Sequence, residues 1–354
     1  MTGIFPFHQE CEPILRYRHL LQRQAKFFAP ESWGYGNRGP DFSCVLTMEA
    51  FEQDDFKDLL IPQFPLLERN EPFFLRSILQ KIPHLQTVLC DAAFSEDSMR
   101  EIGRACAQNG CTFRSTLDQS VPPMVEGEGL LPLQTPVITI AGMWQDTDKL
   151  EASLCLRDIL LREGYNVAQI GSRAYCELFR FHSFPSFMFE DRSDCNKILQ
   201  FNRFVHDIER EEQPDVILIT VPGCINNYND DFTNFFGLLA YDVMKAVKPD
   251  FLLLCTFFTP NADMLFSLLS ETCLYRFGRR VDYFHMSRQY IDIAASREAH
   301  KVVLKRAQPE MVLEELQKNQ GVYTMQIGHL QSQDSRERLR DVLFDKLVTT
   351  TPAL

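Results

Sequence analysis

A short loop between an apolar run and an amphipathic helix carries residue types that bind phosphate groups. It reads GMWQDTDKLEAS, residues 142–153. A phosphate-binding loop needs a glycine whose backbone turns sharply, a lysine that neutralises the outer phosphates, and a Ser or Thr that holds Mg²⁺. Gly142 and Lys149 have the spacing of the variant loop GTDxxxGK[ST]. However, Asp148 stands where the second glycine belongs, and Leu150 stands where the hydroxyl residue belongs.

These two substitutions weaken the prediction of a working nucleotide site. A carboxylate at position 148 would lie within about 5 Å of a phosphate and cost roughly 1–3 kcal/mol at an effective dielectric constant near 20. Asp148 and Glu151 also match a D-x-x-E capping box, in which Lys149 is the first helical residue. Three interpretations follow: a capped helix end, which the sequence favours, a repurposed anion or metal site, and an active triphosphate site. The first two are compatible with each other.

Two other loops are expected to lie beside this one, because ligands of doubly wound sheets bind beyond the carboxyl ends of the strands. The loop after the predicted strand 166–171 contains Arg173. Its guanidinium group could bind a carboxylate or phosphate through two parallel hydrogen bonds, or pair with Glu177 instead. The loop after the predicted strand 215–223 contains Cys224. The residues expected to line a ligand site are Gly142, Met143, Asp146, Thr147, Asp148, Ser172, Gly223 and Asn226.

Four residues are candidates for catalysis, namely Lys149, Arg173, Cys224 and His182. Cys224, or Cys176 in the neighbouring loop, would be reactive if a cation lowered the pKa of its thiol, although a buried inert cysteine is the favoured alternative. The segment ILITVPG (217–223) contains no acidic residue, whereas nucleotide hydrolases carry a carboxylate there. The sequence therefore argues against a standard NTPase.

The segment FRFHSFPSFMF (179–189) concentrates five phenylalanines around His182. Such a segment predicts either a lid or groove for an apolar peptide, or a loop whose rings pack into the core. The core-packing interpretation is favoured. His182 is either a catalytic base or, more commonly for a lone histidine, a partner in a buried hydrogen bond.

Length, charge and cysteine usage restrict the class of protein. A chain of 354 residues exceeds the size at which one hydrophobic core usually keeps growing, which predicts two domains. A net charge of -12 and a pI near 5.2 argue against a nucleic-acid or membrane partner. No apolar run reaches the roughly 18 residues of a membrane span, and no signal peptide is recognisable, so we expect a cytoplasmic protein. The eleven cysteines include no CxxC pair, and no metal is expected.

The apolar segments predict an α/β protein with two parallel sheets. Residues 1–116 alternate short strands and helices, as in a Rossmann-like or flavodoxin-like domain. Residues 117–136 are rich in proline and glycine and predict a linker. Residues 137–354 predict a P-loop-NTPase-like domain with a degenerate Walker A loop. The predicted strands are 3–7, 25–30, 43–48, 85–90, 111–115, 137–142, 166–171, 215–223, 250–258, 281–287 and 321–327, and the first predicted helix is 12–24.

Nearly the whole chain resembles a family of peptide maturation system proteins, which are encoded beside radical-SAM enzymes in clostridial gene clusters for ribosomally made, modified peptides (RiPPs). The segments that carry the resemblance are IFPFHQECEPILRYRHLL, APESWGYGNRGPDF, VITIAGMWQDTDKLEASLCLRD, YNVAQIGSRAYCELFRFHSFPSFMF and PDVILITVPGCINNYNDDFTNFFGLLAYDV. The two-part layout is also similar, more distantly, to two-domain proteins of the DUF1611 type, whose loop keeps the Gly-Lys pair, and the loop spacing resembles that of dethiobiotin synthetase. Neither resemblance implies a catalytic mechanism.

The peptide-maturation resemblance implies an accessory protein of natural-product biosynthesis. Such a protein would bind a precursor peptide or a radical-SAM partner enzyme through a degenerate nucleotide-type site. The alternative is an enzyme, such as a ligase, a transferase or an NTPase-like protein, that acts on an anionic substrate at a crevice containing Lys149 and Arg173. A nucleotide is the one cofactor that the loop suggests, and Asp148 disfavours it. Exposed apolar helices are compatible with a homodimer.

Overall fold

The computed structural model describes residues 1–35, 42–64, 67–115 and 129–350. The chain divides into two compact units, Met1–Ser120 with Arg173–Ser183, and Val121–Ser172 with Phe184–Leu354. Each unit contains a six-stranded parallel sheet and helices, which confirms the predicted two-domain α/β fold. Residues 117–128 of the predicted linker lie outside the described residues.

The sheet of the first unit has the strand order β3-β2-β1-β4-β5-β6. This is the order of a Rossmann fold, so the Rossmann-like alternative is correct and the flavodoxin-like one is not. The strands are β1 (Thr2–Ile4), β2 (Ala25–Phe28), β3 (Val45–Leu46), β4 (Asp58–Ile61), β5 (Thr87–Cys90) and β6 (Thr112–Ser115). The helices are α1 (Glu12–Arg16), α2 (Met48–Gln53), α3 (Leu67–Lys81) and α4 (Glu96–Gln108).

Phenylalanine rings form much of the core of the first unit. The rings of Phe5 and Phe51 stack with centroids 4.2 Å apart, and Phe28 and Phe56 pack beside them. Gly3 of β1 lies directly under Phe56, because a Cβ atom at this position would be 2.6 Å from the ring. The central strand therefore accepts no larger residue at position 3 without displacing that ring.

The sheet of the second unit has the order β14-β11-β10-β7-β9-β8. Its strands are β7 (Val137–Gly142), β8 (Val167–Ile170), β9 (Val216–Thr220), β10 (Phe251–Thr256), β11 (Tyr283–Met286) and β14 (Ile327–Gly328), and a separate antiparallel pair consists of β12 (Gln289–Ile291) and β13 (Leu304–Arg306). The helices are α5 (Lys149–Arg162), α6 (Asp194–Glu212), α7 (Leu238–Ala246), α8 (Asp263–Phe277), α9 (Ile293–Ala299), α10 (Pro309–Lys318) and α11 (Gln333–Thr350). Strands β7, β9 and β10 are buried along their whole lengths, which explains their continuous apolar sequences.

Strand β7 lies between β9 and β10. The connection after β7 runs to β8 at one edge of the sheet, whereas the connection after β10 runs to β11 on the other side. A crevice forms at such a switch point, beyond the carboxyl ends of the strands. The loop 142–148, which follows β7, is therefore placed where α/β proteins bind ligands.

Two predicted elements differ from the structure. The predicted helix 12–24 ends at Arg16, because Tyr17 leaves the helical region and a 3-10 turn follows at Arg18–Leu20. The predicted strand 321–327 is extended only at its last residue. Tyr323 instead donates its amide to Asn319 and its hydroxyl to Glu315, which folds this segment against the end of α10.

Helix α2 and strand β4 were not predicted. β4 pairs with both β1 and β5 in the middle of the first sheet.

None of the helices in the described ranges combines the length and the apolar character that crossing a membrane requires.

Candidate functional site

The ammonium group of Lys149 is bound by three backbone carbonyl groups. Its Nζ atom donates to the oxygens of Trp144 at 2.8 Å, Gln145 at 3.0 Å and Gly223 at 2.8 Å. An ammonium group has three N–H donors, and only 5% of Lys149 is exposed. The lysine that would neutralise a phosphate is thus already neutralised, in part, by the dipoles of its own loop and of the loop after β9.

Gly142 is required by the tight closure of this loop. A Cβ atom at position 142 would lie 2.6 Å from Thr147 Oγ1, 2.7 Å from the Trp144 oxygen and 2.9 Å from Lys149 Nζ. The buried hydroxyl of Thr147 donates to the same Trp144 oxygen at 2.8 Å. The glycine therefore makes room for groups of its own loop.

The remaining loop residues make few polar contacts. The amide of Met143 donates to Cys255 of β10 at 2.8 Å, which anchors the start of the loop. Within the described part of the chain, the amides of Gln145 and Asp146 donate no hydrogen bond. Such amides before a helix can hold an anion, so the loop keeps one feature of a phosphate-binding loop while its lysine is engaged elsewhere.

Asp148 does not cap helix α5 with its side chain. The helix begins at Lys149 as predicted, but Asp148 has the left-handed conformation (φ 60°, ψ 28°) and its carboxylate makes no capping hydrogen bond. The predicted capping box is therefore wrong. In the left-handed conformation the carboxylate turns away from the first helical amides, and it accepts a hydrogen bond of 3.4 Å from the amide of Arg288.

The carboxyl group of Asp148 is held in its charged form. Burial raises its pKa, but interactions with His285, Arg306 and His329 outweigh burial and lower the pKa to about 2. At neutral pH the carboxylate of the residue that precedes α5 is therefore charged. Its effect on phosphate binding stays a prediction.

Two histidines near Asp148 were missed by the sequence analysis. His285 lies in β11 and His329 follows β14, and their rings stack with centroids 5.6 Å apart. Both side chains are buried. The available signal was a histidine near the carboxyl end of each of two apolar segments, but nothing in the sequence indicates that these two strands are neighbours.

The loop after β9 meets the loop after β7, as predicted. The amide of Ile225 donates to the oxygen of Gly142 at 2.9 Å, and the oxygen of Gly223 accepts from Lys149. Where a hydrolase carries an acidic residue, this chain presents a backbone carbonyl. Asn226 follows, with a buried side-chain oxygen that has no hydrogen-bond partner within the described residues.

Cys224 is a buried thiol. It packs with Trp144 and Phe257, and its sulfur lies 3.2 Å from the carbonyl oxygen of Asn234. Burial raises the pKa of Cys224, and the opposing effects of the Asn226 backbone and of Lys149 do not reverse this. The geometry therefore supports the inert alternative over a nucleophilic thiolate.

Arg173 belongs to the first unit. Its guanidinium group lies 3.0 Å from the carboxylate of Glu10. The alternative partner, Glu177, instead contacts Arg114 at 3.4 Å. Ser172 ends the preceding segment of the second unit, and His182 is a half-buried residue of the first unit. Arg173 and His182 therefore belong to the first unit, whereas Gly142, Lys149 and Gly223 belong to the second.

The aromatic segment packs into the cores of both units. Phe179 and Phe181 stack in the first unit at 5.4 Å, while Phe184 and Phe187 belong to the main core of the second. Only Phe189 is largely exposed, at 63%. The alternative of a lid or peptide groove is therefore wrong for four of the five rings.

A second polar group lies at the switch point of the first sheet, between β1 and β4. His8, in the loop after β1, is 5% exposed, and burial together with the charge of Arg173 lowers its pKa to about 3. Burial raises the pKa of Asp91, which follows β5, and Arg173 opposes this shift. Cys176 also lies in this unit, where burial raises the pKa of its thiol to about 12.

Comparisons with known proteins identify the fold. No protein-family model matches the chain, and no curated protein matches it. The crystal structure of a DUF1611 family protein from Anabaena variabilis aligns with 97% of this chain and 99% of that chain, with a TM-score of 0.61 and 12% identity. This chain has the fold of a DUF1611 family protein. The match extends over both units, and at this identity it concerns the fold alone.

Proposed function

We propose that this protein is a non-hydrolytic accessory protein that binds a precursor peptide or a partner enzyme during the maturation of ribosomally made peptides. The observation that carries the proposal is the engagement of Lys149 by three carbonyl groups. A nucleotide could use this cation only by displacing at least one of them, and a hydrogen bond to a charged group contributes about 1.5–3 kcal/mol.

Two further features oppose hydrolysis at this loop. Leu150 follows Lys149, so no hydroxyl group is available there to bind Mg²⁺. Strand β9 has the sequence VILIT and contributes no carboxylate, and the Gly223 carbonyl lies next to the lysine. The loop and strand therefore lack the hydroxyl group and the strand carboxylate that hold Mg²⁺ and activate water in P-loop hydrolases, and the charged Asp148 disfavours a phosphate.

The identity of the partner rests on the sequence resemblance to peptide maturation system proteins. That resemblance points to a precursor peptide or to a radical-SAM enzyme encoded in the same cluster. The DUF1611-type fold is compatible with either partner.

Thermal melting with ATP or GTP and Mg²⁺ tests whether the protein binds a nucleotide. A ligand at 100 times its Kd would stabilise the folded state by about 2.7 kcal/mol, which a melt detects. We expect no shift with either nucleotide. We also expect the purified precursor peptide, or the purified radical-SAM enzyme of the same cluster, to bind with a measurable Kd in calorimetry.

The alternative function is an enzyme that acts on an anionic substrate at Lys149. The two loop amides that donate no hydrogen bond favour it. A turnover that Lys149→Ala abolishes without unfolding the protein, and that the exposed Lys318→Ala does not affect, would establish the enzyme and refute the accessory role. A thermal shift with ATP or GTP would likewise refute the proposal that this protein does not use a nucleotide.

A further inference from the structure

Two buried imidazole nitrogens beside Asp148 have no hydrogen-bond partner within the described residues. They are the Nε2 atoms of His285 and His329, whose side chains are 0% and 1% exposed. The Nε2 atom of His285 lies 3.9 Å from a carboxylate oxygen of Asp148, which is too long for a direct hydrogen bond. Buried polar groups in folded proteins are rarely left unpaired, so these three groups define a candidate site.

Backbone contacts assign the proton of each ring. The Nδ1 atom of His285 accepts a hydrogen bond of 3.3 Å from the amide of Leu330, so the proton of the neutral ring is on Nε2. The Nδ1 atom of His329 lies 2.9 Å from the carbonyl oxygen of Met286, which can only accept, so Nδ1 carries the proton and Nε2 is an acceptor. Burial lowers the pKa of His329 to about 4, and this ring is neutral at pH 7.

We infer that the site binds one water molecule, which accepts a hydrogen bond from His285 and donates one each to His329 and Asp148. Water has two O–H donors and two acceptor lone pairs; its donors match the two acceptors of the site, and one lone pair accepts from the single donor. One oxygen can lie about 2.8 Å from each of two atoms that are 3.9 Å apart. Three hydrogen bonds is also the usual number for a buried water.

Other ligand classes fit this site less well. A metal ion would need a lone pair on Nε2 of His285, but that would place a proton on Nδ1 facing the Leu330 amide. Within the described ranges, no three His, Cys, Asp or Glu side chains are arranged to hold a metal. An anion would face a carboxylate and a lone pair. A ligand hydroxyl has a single donor and would leave one of the two acceptors unpaired.

The water would connect the loop to the sheet. Asp148 precedes helix α5, whereas His285 lies in β11 and His329 follows β14. A water held by all three would keep the Asp148 carboxylate turned away from the first amides of α5. We therefore assign His285 and His329 as positioning residues for the loop that carries Lys149.

Nuclear magnetic resonance tests the proton assignment on the intact protein. Long-range ¹H–¹⁵N correlation spectra at pH 7 should show a neutral ring with its proton on Nε2 for His285, and on Nδ1 for His329. The opposite tautomer of either ring, or a charged ring, would overturn the inference.

A crystal structure of the unmodified protein tests the ligand itself. We expect one density peak about 3 Å from both Nε2 atoms and from the Asp148 carboxylate. A direct contact between Asp148 and His285 with no peak would overturn the inference. Titration with ZnCl₂ provides a second measurement, because saturable binding that His329→Gln abolishes would identify a metal site instead.

Discussion

The Nζ atom of Lys149 lies 2.8 Å from the backbone oxygen of Gly223, so the first residue of α5 is joined to the loop after β9. The same Nζ atom donates to two carbonyl oxygens of its own loop, those of Trp144 and Gln145. A residue type that ordinarily binds a ligand therefore serves as a link between two loops of the same sheet. This relationship predicts that the lysine matters for stability before any ligand is added.

Replacement of Lys149 by methionine should destabilise the second unit. The change Lys149→Met removes three charge-assisted hydrogen bonds at a buried position, so we expect the free energy of unfolding to fall by about 2–4 kcal/mol. Urea denaturation measures this change. Lys318→Met, at an exposed position in α10, is the matched control. Equal stability of the two variants would show that the hydrogen bonds of Lys149 do not stabilise the fold.

A methyl group at Gly142 should also destabilise the loop. The added Cβ of Gly142→Ala would lie 2.6 Å from Thr147 Oγ1 and 2.7 Å from the backbone oxygen of Trp144, so the loop must shift, at a cost of about 1–3 kcal/mol. Gly103→Ala in α4 is the control, because its Cβ would be 3.6 Å from Phe113, an ordinary contact. The control should be neutral or should stabilise by about 0.5–1 kcal/mol. Thermal or urea denaturation of both variants checks the difference, and a neutral Gly142→Ala would disprove the tight closure.

The buried carboxyl group of Asp242 should make the stability of the second unit depend on pH. Its side chain is 2% exposed, and burial, with a contribution from Asp194, raises its pKa to about 6 against the opposing effect of Lys197. The pKa of Asp242 is higher in the folded state than in the unfolded chain. Protonation of Asp242 therefore stabilises the folded state fully below pH 3.8, and this stabilisation is lost as the pH rises through about 6.

Asp242→Asn should remove this dependence. The amide cannot ionise, so the variant should be about 1–3 kcal/mol more stable than the unmodified protein at pH 7 and similar at pH 4. Urea denaturation between pH 4 and pH 7 measures the two curves. The exposed Asp191→Asn should leave the slope unchanged. If the free energy of unfolding changes with pH in the same way for Asp242→Asn and for the unmodified protein, this carboxyl group does not titrate as stated.

An apolar stripe on α8 predicts a homodimer. Met264, Leu268 and Tyr275 are 85%, 62% and 83% exposed and lie on one face of the helix. If two copies of α8 packed antiparallel, Met264 would face Tyr275 of the second copy, and sulfur–aromatic contacts of this kind are favourable. Exposed apolar side chains that share one face of a helix are typical of surfaces that contact another protein.

Sedimentation velocity tests the dimer. We expect Leu268→Glu to convert it to a monomer, whereas Val322→Glu, at a 61% exposed position in a loop, should not. A monomeric unmodified protein, or a dimer that survives Leu268→Glu, would contradict this prediction.

Local sequence patterns predicted the elements that hold the site. The run VITIAG corresponds to β7 residue for residue, and helix α5 begins at Lys149 as expected. Both follow from short-range physics, because a strand buried on both faces needs a continuous apolar run, and apolar residues at helical spacing favour a helix. The absence of a carboxylate from β9 could also be read directly from the sequence.

The contacts that define the site could not be predicted in this way. Asp148 matches a capping box by spacing, yet its left-handed backbone directs the carboxylate towards Arg288 and His285. Arg173 follows a strand of the second unit but pairs with Glu10 of the first.

The sequence alone therefore determined the α/β class, the alternation of elements and the absence of a hydroxyl residue after Lys149 and of a carboxylate in β9. Only the tertiary structure decided which partners that lysine and Asp148 have, because those partners lie on other loops and strands. Their proximity depends on strand order and side-chain packing, which no local pattern in the sequence encodes.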